Sequence, residues 1–271
     1  MIATRVALPG VDVLVVTPEE VADTVAAFYP RSARAAPGRS ASTHEYTLVT
    51  AGDRWALSKN GSPAGDYATP AQALLAMEYE LETVVVARRG DRIAMHAGAV
   101  VVGRGACVIP GNPDSGKTTT TFNLVELGHA FLCEEIALVH PATHVVEPFA
   151  QSLTLGRSFL EATLAELPAT GGTVVPLDDR FARYVPARIA DEGVRVDRLL
   201  VPRYEPGTPG RVDELEPGDA LTEILGYCFE PNRGEERLFD SVIGLVAACR
   251  VERLCYGSVE QARERLARLL E

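Results

Sequence analysis

Apolar positions along this chain fall into short strand-like runs separated by capped helical stripes. Val11 to Val16 reads as a strand, and Thr17-Pro18-Glu19-Glu20 then supplies an N-cap, a proline at the first helical position and a capping-box glutamate. That predicts a short helix to about Phe28. Pro30 to Thr43 has no apolar periodicity and reads as a loop. Tyr46 to Thr50 and Arg54 to Ser58 resume strand character, with Ala51-Gly52-Asp53 as the turn. Thr69-Pro70-Ala71-Gln72 repeats the capping arrangement and opens a helix with Leu74, Met77 and Leu81 along one face, expected to bridge two units.

Ile93 to Val102 and Ala106 to Pro110 read as strands joined at Gly103-Arg104-Gly105. Lys117 to Leu127 reads as a helix closed by Gly128, although Thr118 to Thr121 are mediocre helix formers that packing or a ligand must hold. Ala130 to His140 is expected to be one continuous strand, and Leu199 to Val201 another. The remainder is expected to be helical, with Leu238, Val242, Leu245 and Cys249 in one stripe. Ser258 and Gln261 cap a last helix packed through Ala262, Leu266 and Leu269. This pattern places a small α+β unit at 1–88 and an α/β unit with a helical C-terminal part at 89–271.

A length of 271 residues with 46% hydrophobic content suffices for one large α/β core plus a smaller unit. The net charge of -11 opposes a nonspecific grip on nucleic acid or anionic lipid, so neither is an expected partner. Cys107, Cys133, Cys228, Cys249 and Cys255 form no CxxC pair, which suits a reducing cytoplasm. Met1-Ile2-Ala3-Thr4-Arg5-Val6 lacks a signal-peptide pattern, and no run approaches the roughly 18 apolar residues of a membrane span. The expectation is a soluble, cytoplasmic protein; the sequence does not fix an oligomeric state.

Chemistry enters at Gly111-Asn112-Pro113-Asp114-Ser115-Gly116-Lys117-Thr118, a phosphate-binding P-loop (Walker A) pattern between a strand and a helix. Of 26 cationic residues only Lys59 and Lys117 are lysines, which singles out the one in the loop. Consecutive amides at a helix N-terminus suit a polyphosphate, and Thr119 continues that first turn. Lys117 would reach the β- and γ-phosphates of ATP and the Thr118 hydroxyl would ligate Mg²⁺. Asp114 is discordant, because a carboxylate there repels phosphate unless it turns outward; as a turn former it tolerates unusual backbone angles.

Glu134 and Glu135 interrupt the apolar run Phe131 to Val139. Strand alternation would send their carboxylates to opposite faces. Glu134 is assigned to the metal and Glu135 to accepting a proton from an attacking hydroxyl; the competing reading is a solvated strand edge. His96 lies in an apolar strand and would either orient a carboxylate or be a satisfied core histidine. The spacing of His44, His129, His140 and His144 makes no zinc site. Arg203 follows a strand and suits either a phosphate clamp or a surface role.

His96, Gly111 to Thr118, Gly128 and Glu134-Glu135 occur in an order that resembles the HPr kinase/phosphorylase superfamily, specifically its HPr kinase-related P-loop proteins, which include peptide-tailoring serine kinases. Pro202-Arg203-Tyr204-Glu205-Pro206-Gly207 and Leu254-Cys255-Tyr256-Gly257 are similar to its C-terminal half. The resemblance implies Mg²⁺- and ATP-dependent transfer of phosphate to a serine hydroxyl, with Glu135 as base, His96 supporting it and Glu134 near the metal. The family usually carries aspartate where Glu134 stands, and often a small residue or glycine where Asp114 stands. The downstream signature of HPr kinases is not recognisable here, which argues against HPr as acceptor. The expected function is a kinase for a serine of a peptide or small protein, with a small metabolite as another acceptor. The N-terminal unit is the expected place of acceptor recognition. A nucleotide-gated regulator and a simple NTPase are the competing classes.

Overall fold

A computed structural model describes residues 1–34, 44–149, 151–166, 171–229 and 235–269. The chain divides into two compact units: Met1–Arg88 with Ala150–Ala162 and Thr173–Val185, and Arg89–Phe149 with Thr163–Gly172 and Pro186–Glu271. The two middle segments, which the apolar pattern assigned to the α/β unit, thus belong to the N-terminal one.

The first unit begins with β1 (Ile2–Leu8), β2 (Val11–Thr17), α1 (Glu19–Phe28), β3 (Ala33–Arg34), β4 (His44–Ala51), β5 (Arg54–Lys59), β6 (Ser62–Tyr67) and α2 (Pro70–Ala87). Its strands form a six-stranded sheet in the order β3-β1-β2-β4-β5-β6. The expected loop at 30–43 contains β3, and its residues 35–43 lie outside the described ones. Thr17 does not cap α1: it pairs with Ile2 as the end of β2, and Pro18 takes the N-cap without a side-chain bond. Thr69 does cap α2, its hydroxyl accepting from the Gln72 amide at 3.2 Å, while the Gln72 side chain accepts from Ala68. Leu74, Met77 and Leu81 are fully buried, and α2 belongs to this unit alone rather than bridging two.

The second unit opens with β7 (Ile93–Val102), β8 (Gly105–Pro110), α3 (Lys117–Glu126), β9 (Ala130–Cys133), β10 (Ile136–Val139) and β11 (Val145–Val146). The chain then supplies β12 (Leu153–Gly156), α4 (Arg157–Glu166), β13 (Thr173–Pro176) and β14 (Phe181–Val185), whose strands form a three-stranded sheet of the first unit, ordered β12-β14-β13. Within that unit Arg183, 1% exposed, forms an ion pair with Glu78 of α2, donates to the Ser152 carbonyl at 2.7 Å and lies 3.8 Å from the Phe28 ring centroid. A buried guanidinium is tolerable only with partners of this kind.

The second unit continues with β15 (Val194–Tyr204), β16 (Arg211–Glu214), α5 (Pro217–Leu225), α6 (Glu235–Ala248), β17 (Arg250–Tyr256) and α7 (Val259–Leu269). Its sheet runs β11-β10-β7-β8-β15-β17-β16, with β9 also pairing β7; β15 is parallel to both β8 and β17. The C-terminal part is therefore not all helical, since β16 and β17 complete the sheet. Val108, Ile109, Phe122, Leu199, Leu254 and Leu266 build the core beneath α3 and α7. Packing answers the threonine problem in α3: Thr120 and Thr121 are fully buried, and a Cβ at Gly98 would meet Thr121 Oγ1 at 2.3 Å. Helix α3 ends on Gly128 at φ 92°, with Gly128 and His129 amides donating back to the Val125 and Leu124 carbonyls in a Schellman arrangement. Ser258 caps α7, accepting from the Gln261 amide at 3.3 Å, while the Gln261 side chain accepts from the Gly257 amide.

Candidate functional site

The turn between β8 and α3 is held from both sides by the second unit's sheet. Gly111 donates its amide to the His96 carbonyl of β7 at 3.1 Å, and the Ser115 carbonyl accepts from the Tyr204 amide of β15 at 3.1 Å. The Tyr256 hydroxyl, at the end of β17, donates to the Gly116 carbonyl at 3.2 Å. Close packing explains both loop glycines: a Cβ on Gly111 would stand 2.3 Å from Ser115 Oγ, and one on Gly116 would stand 1.9 Å from the Tyr256 hydroxyl. Gly116 also has φ 98°, a left-handed conformation that side chains resist. Asp114 adopts φ 64° and is exposed, as a turn former does.

Thr120 makes the first intrahelical bond, to the Gly116 carbonyl at 2.9 Å. The amides of Lys117, Thr118 and Thr119 therefore open the N-terminus of α3 without partners inside the helix. Ser115 Oγ is buried and has no hydrogen-bond partner. A buried donor aimed into a turn beside helix amides fits an anionic oxygen, and glycines that leave no room for a Cβ let the backbone approach it. These residues fit a nucleotide polyphosphate.

Glu134 and Glu135 depart from the expected strand. The run from Ala130 to His140 breaks into β9 and β10, and both acids occupy the bend between them. Alternation therefore does not apply, and the carboxylates converge instead of pointing apart. Lys117 Nζ donates to the Glu134 carbonyl at 2.8 Å and contacts Glu134 Oε1 at 3.1 Å and Glu135 Oε1 at 3.0 Å. The Thr118 hydroxyl donates to Glu134 Oε1. His96 Nε2 lies 2.8 Å from Glu135 Oε2. The His96 ring also meets the Phe229 ring edge-on at 6.4 Å, so the histidine is both packed and directed.

The electrostatics separate the two acids. Glu134 is 3% exposed, and burial, reinforced by the neighbouring Glu135 charge against the pull of Lys117, pushes its carboxyl up to about 8. Burial also opposes ionisation of Glu135, but hydrogen bonds from His96 and Glu134 and the Lys117 charge outweigh it and hold its carboxyl below the usual range. Burial likewise works against the Lys117 charge, and the two carboxylates more than offset it, raising the ammonium pKa. The shifts run in opposite directions, favouring the proton on Glu134 and the charge on Glu135.

The structure brings together His96, Lys117, Thr118, Glu134 and Glu135. Arg203 stands apart: its side chain is 59% exposed and paired with Glu205 at 2.7 Å. Tyr256 was not read from sequence as part of the loop's support; the short apolar run Leu254-Cys255-Tyr256 was the available signal, but its partner Gly116 lies 140 residues away. Among the described residues no group of three or more His, Cys, Asp or Glu is placed to hold a metal. Thr118 and Glu134 are two oxygen ligands at most, which suits Mg²⁺ completed by water and phosphate. All five cysteines are free, and burial pushes the Cys107 thiol up to about 12, which leaves it without nucleophilic character. No helix among the described residues is long and apolar enough to cross a membrane.

No protein-family model matches the chain, and no curated protein matches it. Among solved structures the chain is similar to the Hpr(Ser) kinase/phosphatase from Coxiella burnetii, at 10% identity and a TM-score of 0.28, over 65% of this chain and 96% of that one. A likeness at that TM-score assigns this chain neither a family nor a role.

Proposed function

We propose that the second unit is a P-loop phosphotransferase that takes ATP with Mg²⁺ as donor and a hydroxyl as acceptor. The observation that carries this is the contact set around Lys117: the ammonium that would hold phosphate also touches Glu135, whose other oxygen meets His96. A base within reach of the phosphate-holding group is what hydroxyl activation needs, and a loop that only binds nucleotide has no use for it. Glu135, ionised because of its partners, accepts the hydroxyl proton, and His96 holds the carboxylate in place. Lys117 and the amides opening α3 balance charge on the transferred group. Gly111 to Thr119 hold the polyphosphate, with Ser115 Oγ an additional donor. Thr118 and Glu134 would hold Mg²⁺, which supplies charge neutralisation when bound. Arg203 is exposed enough to exchange Glu205 for a phosphate or acceptor anion.

The acceptor class, a serine of a peptide or small protein, follows from the sequence resemblance to HPr kinase-related proteins, and the first unit is the proposed place of its recognition. A cytoplasmic location follows from the cysteine usage. Incubation with γ-labelled ATP, Mg²⁺ and a panel of serine-containing peptides tests the reading. Label on a peptide supports it; steady release of free phosphate instead identifies an NTPase, and bound, unreacted ATP a nucleotide-gated regulator. Loss of ATP binding in Lys117→Ala is expected.

A further inference from the structure

We infer that Tyr204 is the platform on which the base of a purine nucleotide stacks; this rests on the phosphate-loop reading above. The sheet order supplies the direction. Loop 111–116 leaves β8, with β7 on one side carrying His96 and pairing with β9 and β10, which flank Glu134 and Glu135. On the other side lie β15 and β17, which end at Tyr204 and Tyr256. A nucleotide with its terminal phosphoryl group at the Lys117–Glu135 side therefore extends its nucleoside toward the ends of β15 and β17. Ligands of open sheets lie outside such carboxyl ends.

Tyr204 is 48% exposed, yet it is not a loose surface side chain. Its amide is bonded to Ser115 in the loop, and its ring lies 5.7 Å from that of Tyr256 at 51°. Tyr256 is itself 1% exposed and anchored to Gly116, so the outer ring rests on a fixed inner one. The chain beyond Tyr204 is also fastened: the Glu205 amide donates to the Tyr256 carbonyl at 2.9 Å, and a Cβ on Gly257 would stand 2.7 Å from the Thr208 carbonyl. A pre-positioned, half-exposed aromatic ring, one backbone hydrogen bond from the phosphate turn, is what a base needs, and either purine presents a large π-face to it.

The test separates base from phosphate. Equilibrium dialysis with labelled ATP and Mg²⁺, beside calorimetric titration with inorganic tripolyphosphate, is run on the wild-type chain, Tyr204→Ala and Tyr204→Phe. Tyr204→Ala should weaken ATP about tenfold, as loss of one stacked base does, and leave tripolyphosphate unchanged; Tyr204→Phe should bind both as wild type does. Retained tripolyphosphate binding also shows that the variant is folded. Unchanged ATP affinity in Tyr204→Ala, equal loss of both ligands, or a Tyr204→Phe as weak as Tyr204→Ala overturns the assignment. If the wild-type chain binds neither ATP nor tripolyphosphate, the phosphate-loop reading fails and the platform falls with it.

Discussion

Replacement of Glu135 by glutamine should move binding and chemistry in opposite directions. Glu135 accepts from Lys117 at 3.0 Å and meets His96 Nε2 at 2.8 Å. Glutamine has the same shape: its carbonyl oxygen faces the ammonium, and its amide donates to the imidazole. An ion pair becomes a hydrogen bond to a charged group, so the fold should lose only about 1 kcal/mol. A phosphate gripped by Lys117 then shares that ammonium with Glu134 alone instead of with both acids. Two unit charges 4 Å apart repel by about 4 kcal/mol at an effective dielectric near 20, and solvent at a side chain 34% exposed reduces this to about 1 kcal/mol. ATP should therefore bind about fivefold more tightly. Transfer loses its base and should fall about a hundredfold to ten-thousandfold. Equilibrium dialysis gives the first quantity and single-turnover transfer of γ-label the second. Transfer at the wild-type rate removes Glu135 from the base role, and loss of ATP binding shows that its charge builds the pocket instead of opposing its ligand.

Gly116→Ala should abolish ATP binding, because it adds backbone strain at φ 98° to a Cβ placed 1.9 Å from the Tyr256 hydroxyl; calorimetry with tripolyphosphate checks it, and removing the hydroxyl as well, in Gly116→Ala with Tyr256→Phe, should recover only part of the loss. Glu134 keeps its proton up to about 8 in the folded chain against an ordinary value of 4.5, so between those values the folded state binds more protons than the unfolded one and stability falls as pH rises. Glu135 contributes in the other direction and below that window, its share being lost as pH falls under about 4.5. Urea unfolding at pH 5, 6, 7 and 8 should therefore show declining stability for the wild-type chain and a flatter profile for Glu134→Gln; identical profiles would contradict the buried, protonated state. Arg183→Ala removes the cation that pairs with the buried Glu78 carboxylate and the donor to the Ser152 carbonyl, and chemical denaturation should register a loss of about 3–5 kcal/mol.

Features decided by neighbouring residues were legible in the sequence. Thr69 accepts from the Gln72 amide three residues on, Gly128 supplies the left-handed stop of α3, and the glycine loop sits between β8 and α3. Features decided by distant residues were not. Phe131 to Val139 is apolar on both sides of Glu134-Glu135, so the two acids read as an interruption of one strand and not as a bend; Lys117, 17 residues earlier, holds the Glu134 backbone carbonyl and contacts both acids. Strand β17 was hidden because Arg250-Val251-Glu252-Arg253 carries charges that read as solvated. In the sheet Glu252 pairs with Arg198 and Arg253 with Glu223, from β15 and α5. The return of 150–162 and 173–185 to the first unit is likewise a matter of tertiary partners, since β14, which pairs with β12 and β13, carries the Arg183 that meets Glu78 of α2.

The same distinction bears on how the site works. A glycine loop read as a motif looks self-contained, yet each of its ends is fixed by a strand from elsewhere: Gly111 by β7, Ser115 by β15 and Gly116 by β17. The acids come from a bend whose Glu134 carbonyl Lys117 holds, so the lysine proposed to bind phosphate also meets the residue proposed for proton transfer. With Glu134 protonated, the charges of Lys117 and Glu135 would cancel within the cluster. In the proposed function, an arriving polyphosphate would compete for the ammonium, and a metal ion for the Glu134 proton. Binding would then loosen the Lys117 contact to Glu135 and leave His96, 2.8 Å from its other oxygen, to orient it, which is the role the proposal gives the histidine.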